Sequence, residues 1–299
     1  MLIPFTIVIS TYNRRELLER CIDSIVKQNY PSYEILVVDD CSKYSSEQYI
    51  NNKYENIKYI YLKENGGPCK ARNIGINLAE NDWIIIMDDD DTMEDSSLET
   101  ISKNMSNINH TNYPVLNFAR SNGRIKGESY KVVNIRDYIN KDIRGEFVPV
   151  IQKDLFLRKG YKYPEISVGG ESVLWMEIAK EDGIPTWAVN VCSLNDDADY
   201  RLTDTKHQIR KSSEYAKLQE ILIGKYKQDY ILYNKTELYK RYKAAILYHL
   251  LSGDKRKSLS NLKNLIYYKP LCMYLCIFTF LPTPLYAQLL LTYRKLKVR

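Results

Sequence analysis

Short apolar runs alternate with helix-like stretches along the first third of the chain, and this alternation limits the fold more than any other feature. Phe5–Ser10, Glu34–Val38 and Ile57–Leu62 are apolar and rich in β-branched residues, which favours strands. Arg14–Gln28 repeats apolar residues at helical spacing, and Pro68 suits the first turn of a further helix. Strands that alternate with helices form βαβ units. The sequence therefore predicts an α/β, Rossmann-like fold with a mainly parallel sheet flanked by helices.

Four consecutive aspartates, Asp88 to Asp91, directly follow the apolar run from Trp83 to Met87. The run is typical of a buried strand, so the carboxylates emerge together at its C-terminal end. Clustered carboxylates repel one another unless a cation neutralises them, and several nearby oxygens suit Mg²⁺ or Mn²⁺. Because ligands of open α/β sheets bind at this edge, the sequence predicts a functional metal site here. An acidic loop before a helix capped by Ser96 is the alternative.

Three further polar segments follow predicted strands at the same edge of the sheet: Ser10–Arg14, Asp39–Ser42 and Asn65–Asn73. The carboxyl ends of neighbouring parallel strands meet in one crevice, so these segments are expected to converge on the aspartates. Each segment alone has a purely structural explanation as a helix cap or a turn. Four such segments in order favour a binding site instead.

With these motifs in this order, residues 4 to about 205 resemble the family 2 glycosyltransferases, enzymes with the GT-A nucleotide-sugar fold. The resemblance implies that Ser10, Tyr12 and Asp40 contact the uracil and ribose of the donor. It also implies that Arg72, from the segment after the glycines, steadies the nucleotide and its neighbouring carboxylates. The competing enzyme class is a nucleotidyltransferase, which needs a glycine-rich loop near the N-terminus that Ser10–Asn13 lacks.

The metal motif of that family is Asp-x-Asp, which corresponds here to Asp88, Asp89 and Asp90. The resemblance implies that Asp90 is the direct ligand of Mn²⁺ or Mg²⁺, with Asp88 and Asp89 around the ribose and the metal shell. A divalent ion there stabilises charge on the departing phosphates. The implied reaction moves a sugar, with inversion, from a nucleotide-diphosphate sugar (UDP first) to a saccharide or lipid-linked acceptor in surface polysaccharide or glycan synthesis.

The catalytic base is where the sequence departs from the family pattern. Members usually carry Glu-Asp ahead of an acceptor-side helix, and the Asp serves as base, whereas here Glu171 is followed by Ser172. A serine hydroxyl is not basic near neutral pH. Three hypotheses are open: Glu171 is the base, an aspartate of the following loop such as Asp197 is the base, or the protein binds the sugar nucleotide with weak or no transfer.

Two further residues each have two interpretations. Trp175 either contacts an acceptor sugar or packs in the core. His207 is either a metal or phosphate contact or a solvated histidine.

The charge of the chain is unevenly distributed. From Lys206 to Arg299 there are 19 Lys and Arg against 5 Asp and Glu, a balance of +14. Residues 1–205 then carry a balance of −8. An acidic first part disfavours nucleic acid as a partner, and a basic C-terminal part favours an anionic surface.

The sequence predicts three segments: a transferase domain at 1–205, a helical extension at 206–270 and an apolar, basic segment at 271–299. Pro282 and Pro284 divide the last segment into halves that are each shorter than the roughly 20 apolar residues of a spanning helix. Interfacial anchoring to an anionic membrane, packing on the protein itself and membrane spanning are the alternatives, with anchoring preferred. Six cysteines without a CxxC pair, and no signal-peptide pattern, favour a cytoplasmic protein at the inner face of the plasma membrane.

Overall fold

The computed structural model describes residues 2–55, 57–195, 205–273, 276, 285–286 and 288. The chain divides into two compact units, Met1–Asp199 and Tyr200–Arg299. The first is an α/β unit, and the described part of the second is helical, which confirms the predicted fold class. Most of the segment 271–299 lies outside the described residues, so its interfacial character stays a prediction. Among the described residues, no helix combines the length and the apolar character needed to cross a membrane.

The first unit is built on strands that follow the chain in this order: β1 Phe5–Thr11, β2 Tyr33–Asp39, β3 Ile57–Tyr61, β4 Trp83–Asp88, β5 Thr92–Met93, β6 Val115–Arg120, β7 Arg124–Ile125, β8 Tyr130–Val133, β9 Ile143–Arg144, β10 Phe147–Gln152 and β11 Ile184–Ser193. In the part of the chain that the structure describes, nine of them form one sheet. Eight follow the order β3-β2-β1-β4-β10-β6-β11-β5, and the ninth, β8, pairs with β11. β7 and β9 form a separate ribbon.

The two halves of the sheet differ in strand direction. β3, β2, β1 and β4 are all parallel, as the strand–helix alternation predicts. β10 then runs antiparallel to both β4 and β6, and β11 is parallel to β6. Because one antiparallel strand separates β4 from β6, these two strands point the same way, and their carboxyl ends lie at the same edge.

Helices cover the sheet and make up the described part of the second unit. In the first unit they are α1 Arg15–Val26, α2 Glu47–Lys53, α3 Pro68–Leu78, α4 Ser97–Ser106, α5 Ile135–Asn140, α6 Lys153–Arg158 and α7 Glu171–Glu181. In the second they are α8 Thr205–Arg210, α9 Ser212–Tyr233, α10 Lys235–Leu251 and α11 Lys255–Tyr268. The sequence pattern predicts helices at Lys206–Lys227, Lys235–Leu251 and Lys255–Tyr268, and the last two are confirmed to the residue as α10 and α11. A single helix over 206–227 was wrong, because the chain breaks at Lys211 and then continues to Tyr233.

Two apolar clusters cover the opposite faces of the sheet. Alternate residues of β1 serve both, since Ile7 and Ile9 belong to one cluster and Val8 to the other. On the Val8 side, α3 comes very close to the strand: a Cβ added at Gly75 would lie 2.3 Å from a Val8 methyl group. This close packing fixes the start of α3, and therefore Arg72, relative to the carboxyl ends of the strands.

Candidate active site

The carboxyl ends of β1, β2 and β4 lie side by side and carry several of the polar residues that the sequence singles out. Ser10 of β1 pairs in register with Val38 of β2 and with Asp88 of β4. Ser10 is buried, whereas the Tyr12 side chain, just past the end of β1, is exposed. The structure therefore brings Ser10 and Asp88 together and leaves Tyr12 accessible from solvent.

Asp88 lies between two arginines. One of its carboxylate oxygens accepts a hydrogen bond from Arg72 Nη2 at 2.5 Å, and Arg120 Nη1 lies 2.9 Å from the other. Burial by itself raises the pKa of Asp88, but the Arg120 and Arg72 guanidinium groups outweigh it and hold the pKa well below its usual range. Asp88 is therefore ionised with both oxygens engaged by cations, which makes it a poor direct ligand for a metal ion.

Arg72 on α3 connects this aspartate to the candidate base. Its Nη1 donates to Glu171 Oε1 at 2.6 Å, and its guanidinium carbon lies 5.5 Å from the centre of the Tyr163 ring. The Gly170 N–H donates to Glu171 Oε2 at 3.0 Å, so both carboxylate oxygens of Glu171 have partners. About a third of the Glu171 side chain remains exposed. The base candidate is thus oriented by Arg72 and can still be reached from solvent.

Arg120 is a functional candidate that the sequence analysis missed. It is the last residue of β6, its side chain is 5% exposed, and its Nη1 forms ion pairs with both Asp88 and Asp91. Together, five side chains form a continuous chain of alternating charge: Glu171, Arg72, Asp88, Arg120 and Asp91. We call this set the charge chain. It links the start of α7 to the aspartate motif.

Asp89 and Asp90 differ in exposure. Asp89 is buried, and its two oxygens accept hydrogen bonds from Thr11 Oγ1 at 2.7 Å and Arg14 Nη1 at 3.0 Å. Burial raises the pKa of Asp89 to about 6, although Arg14 and Thr11 act in the opposite direction. The Asp90 side chain is 22% exposed, with Arg14 Nη1 3.3 Å from its Oδ2. The resemblance implied that Asp89 lies around the ribose and the metal shell. In the structure Thr11 and Arg14 hold its buried carboxylate, and a contact with a ligand stays a prediction.

The donor set fits a divalent ion only in combination with a ligand. Among the described residues, no three His, Cys, Asp or Glu side chains are grouped so that they could hold a metal ion. Mg²⁺ is, however, commonly bound through one or two carboxylates plus the phosphates of a substrate. Asp90, which is partly exposed and has a single long contact to Arg14, suits that arrangement. The residues therefore fit an ion that arrives with a diphosphate rather than one in a cage made by the protein alone.

Asp40 holds the loop between β3 and α3. One of its oxygens accepts from the Gly66 N–H at 2.8 Å, and the other from the Gly67 N–H at 2.7 Å and Asn65 Nδ2 at 2.9 Å. Gly67 has a φ of +85°, which only glycine adopts without strain, and Pro68 then begins α3. Burial raises the pKa of Asp40, while the two glycine N–H groups act against that rise. The described contacts of Asp40 therefore shape the loop, and its predicted direct contact with a nucleotide stays a prediction.

Replacing Asp40 with Ala is expected to lower the free energy of unfolding by about 2–3 kcal/mol, since each buried donor left without a partner costs roughly 1–3 kcal/mol. Asp40→Asn keeps one acceptor oxygen and should lose about half as much. Urea denaturation measures both, and Asp95→Ala, at an exposed aspartate, is the control. Equal stability of the Asp40→Ala and Asp95→Ala variants would show that these hydrogen bonds do not fix the loop.

The start of α7 carries Ser172 and Trp175 beside the candidate base Glu171. Trp175 is half-buried and meets the buried Tyr163 ring edge-on at 5.5 Å between ring centres. Tyr163 in turn lies under Arg72. Ser172, which by the resemblance stands where the family usually carries an aspartate, is exposed. One part of the Trp175 ring therefore packs in the core against Tyr163, and the exposed part remains a candidate contact for an acceptor sugar.

The sequence singles out two further residues, Asp197 and His207. Asp197 lies outside the described residues. His207 is in the second unit, where it is buried, with Arg210 Nη2 3.3 Å from its Nδ1 and the Tyr215 ring edge-on to it. The interpretation of His207 as a solvated residue was therefore wrong, because neighbouring side chains of the helical unit cover it.

Comparison with known proteins identifies the family. The model for Glycosyl transferase family 2 matches residues 6–157, just over half of the chain of 299 residues. The chain belongs to glycosyl transferase family 2. The matched range contains most of the charge chain, from Arg72 to Arg120, together with Asp40, whereas Glu171 lies beyond it.

Curated relatives of this family 2 chain include glycosyltransferases of two bacteria. The GalNAc(5)-diNAcBac-PP-undecaprenol β-1,3-glucosyltransferase of Campylobacter jejuni is 28% identical over 188 residues, which cover 59% of this chain and 60% of that protein. The poly(ribitol-phosphate) β-N-acetylglucosaminyltransferase TarS of Staphylococcus aureus is 33% identical over 104 residues, which cover 33% of this chain and 18% of TarS. The similar segment thus spans less than two thirds of either relative.

Solved structures of the same fold extend over more of the chain. S. aureus TarS 1–349 in complex with UDP-GlcNAc aligns with 90% of this family 2 chain and 92% of its own, with a TM-score of 0.58 and 20% identity. The mannosyltransferase PcManGT of Pyrobaculum calidifontis, in complex with GDP-Man and Mn²⁺, aligns with 96% of this chain and 85% of its own, with a TM-score of 0.57 and 17% identity. At these identities the similarity establishes the fold, and the GT-A expectation is confirmed.

Proposed function

We propose that this family 2 chain transfers a sugar from a UDP-sugar to a hydroxyl group of a saccharide or lipid-linked acceptor, with inversion at the anomeric carbon. The observation that carries the proposal is the charge chain, which joins the candidate base Glu171 to the aspartate motif at the carboxyl ends of the strands. The TarS structure with bound UDP-GlcNAc has the same fold and supports a nucleotide-sugar donor.

The donor lies, in this proposal, along the ends of β1 and β2. The exposed Tyr12 ring and the neighbouring Ser10 receive the uracil and ribose. Asp40 contributes by fixing the glycine loop, whose Gly66 and Gly67 N–H groups donate to its carboxylate. Arg72 stands beside the diphosphate and supplies positive charge there. Its contact with the partly exposed Asp88 holds its buried guanidinium at the carboxyl end of β4.

A divalent ion, Mn²⁺ or Mg²⁺, would be held by Asp90 together with the diphosphate oxygens. When bound, such an ion stabilises the negative charge that develops on the leaving diphosphate. The Mn²⁺ in the PcManGT complex supports this assignment. Asp88 and Asp89 contribute indirectly, by orienting arginines. Asp88 orients Arg72 and Arg120, and Asp89 orients Arg14, which also contacts Asp90.

Glu171 is the proposed base. Its carboxylate takes the proton of the acceptor hydroxyl as that oxygen bonds to the anomeric carbon and the bond to the diphosphate breaks. Attack from the side opposite the leaving group inverts the configuration. Trp175 lies four residues further along α7 and therefore on the same face as Glu171, where its exposed part is placed to contact the acceptor sugar. Asp197 is the alternative base.

The acceptor and the location follow from the relatives' names and from charge. Those names refer to an undecaprenol-linked saccharide and to poly(ribitol-phosphate), which supports an acceptor of bacterial glycan synthesis. We therefore assign this chain to surface-glycan synthesis at the inner, cytoplasmic face of the plasma membrane. The basic, apolar segment 271–299 would anchor it to anionic lipid there.

Release of UDP tests the proposal. The full chain is incubated with Mn²⁺ and single sugar nucleotides (UDP-glucose, UDP-N-acetylglucosamine, UDP-galactose and GDP-mannose), with and without a membrane extract as acceptor. One UDP-sugar should give acceptor-dependent release of UDP. Binding without any acceptor-dependent release would favour the second candidate, a sugar-nucleotide-binding protein, for which the observation is the exposed Ser172 in place of the family's aspartate.

A further inference from the structure

One side of α11 is buried and the other is exposed over the whole length of the helix. Its buried residues are Ser258, Leu262 and Leu265. Ser258 Oγ donates to the carbonyl oxygen of Ile246 in α10 at 3.2 Å, which fixes the buried side against that helix. The outward side of the helix carries residues three or four positions apart, namely Arg256, Leu259, Lys263 and Tyr267. The exposed surface continues past the helix end with Leu271 and Met273. We call these six residues the α11 surface.

The α11 surface exposes an unusual amount of apolar area. Tyr267 is 81% exposed, Leu271 83% and Met273 65%. Single exposed apolar residues are ordinary, but several within one stretch of a few turns mark a surface that contacts something else. Tyr239 at the start of α10 donates to the carbonyl oxygen of Tyr268, so the end of α11 is held firmly beside α10 rather than frayed.

The same surface is positively charged. The α11 sequence contains four Lys or Arg residues and no Asp or Glu. Lys257 lies 3.5 Å from Glu220, which compensates its charge in part. Within the described residues, neither Arg256 nor Lys263 forms an ion pair. Ion pairs among the described residues therefore do not neutralise the positive charge on the outward side.

We propose that the α11 surface docks on an anionic lipid bilayer, with Arg256 and Lys263 at the headgroup phosphates and Leu259, Tyr267 and Leu271 in the boundary between headgroups and acyl chains. Charge complementarity selects an anionic partner. A soluble polyanion would satisfy the cations but would leave the apolar side chains in water, whereas an interfacial helix buries both. The inference extends the proposed membrane location to a described surface, and it involves no residue of the donor site.

Sedimentation of the full chain with vesicles tests this surface. Vesicles that contain phosphatidylglycerol should bind the protein, less so at high salt, and vesicles of phosphatidylcholine alone should bind it much more weakly. Arg256→Gln with Lys263→Gln should lower the partition coefficient roughly 30-fold, from the contribution of each basic residue near an anionic surface. Lys103→Gln with Lys126→Gln removes two exposed charges from the first unit and should change little.

Leu259→Ser with Tyr267→Ser completes the test, since both residues are exposed and the fold should tolerate them. This variant should bind the same vesicles at least tenfold more weakly while its binding to soluble polyphosphate is unchanged. Wild-type binding by either α11 variant would overturn the inference, because the proposed docking needs both the charged and the apolar residues of the surface. Equal binding of the wild type to both vesicle types would also overturn it. UDP-induced thermal stabilisation should be unaffected in every variant, which separates this outcome from a failure of the proposed function.

Discussion

Replacing Glu171 with Gln is expected to lower turnover by roughly 10²–10⁴-fold, the range for loss of a general base, with little change in the affinity for UDP. The amide oxygen of Gln still accepts a hydrogen bond from Arg72, so the contact of Arg72 with Asp88 is retained. The amide cannot take the proton of the acceptor hydroxyl. The turnover number comes from UDP release at saturating donor and acceptor, and the Kd for UDP from titration.

Three variants serve as comparisons for Glu171→Gln. Glu177→Gln removes a carboxylate from the same helix outside the charge chain and should keep wild-type turnover. Ser172→Asp restores the family's usual residue and should change turnover only a few-fold if Glu171 is the base; a large rise would mean that the natural chain is impaired. Near wild-type turnover of Glu171→Gln together with an inactive Asp197→Asn would move the base to the later loop.

Replacing Arg120 with Met is expected to lower the free energy of unfolding by about 3–5 kcal/mol, because removal of one partner leaves a buried charge without compensation. Asp91 is as buried as Arg120 and forms its ion pair with Arg120. Asp88 would keep its contact with Arg72 and is partly exposed, so most of the loss should come from Asp91. Chemical denaturation of the variant and the wild type measures the difference.

A second variant assigns that loss to Asp91. Arg120→Met combined with Asp91→Asn removes both charges and should recover a substantial part of the lost stability, since the neutral amide costs less to bury. Arg124→Met, at an exposed arginine on the neighbouring strand β7, should be nearly neutral. If Arg120→Met and Arg124→Met were equally stable, the charge chain would contribute nothing to the fold.

The parallel half of the sheet could be predicted from the sequence because each of its strands and helices is marked by a local pattern. β4 is a continuous apolar run that ends in carboxylates, and the start of α3 is marked by Gly67 and Pro68. Parallel strands connected by helices bring their carboxyl ends together, so the convergence of Ser10 with Asp88 follows from the order of the elements alone.

The rest of the site depends on pairing between distant segments. Val115–Ala119 is apolar and predicts a strand, but nothing local in it shows that β10 inserts antiparallel between β4 and β6. That insertion brings Arg120 beside Asp88. The available signal for Arg120 was its place directly after an apolar run. That place indicates a functional role only once the position of β6 in the sheet is known. The burial of Asp89 likewise depends on Arg14, which sequence patterns alone do not place.

The melting temperature of the protein with UDP and Mn²⁺ tests the central claim most directly, that the aspartate motif forms part of a metal-dependent nucleotide-sugar site. A ligand at a hundredfold excess over its Kd stabilises the native state by about 2.7 kcal/mol. UDP with Mn²⁺ should raise the melting temperature clearly, UDP without the ion should raise it little, and Asp90→Asn should abolish the difference while keeping the fold. No stabilisation by UDP or GDP in the presence of Mn²⁺, or the same stabilisation in Asp90→Asn, would contradict the account.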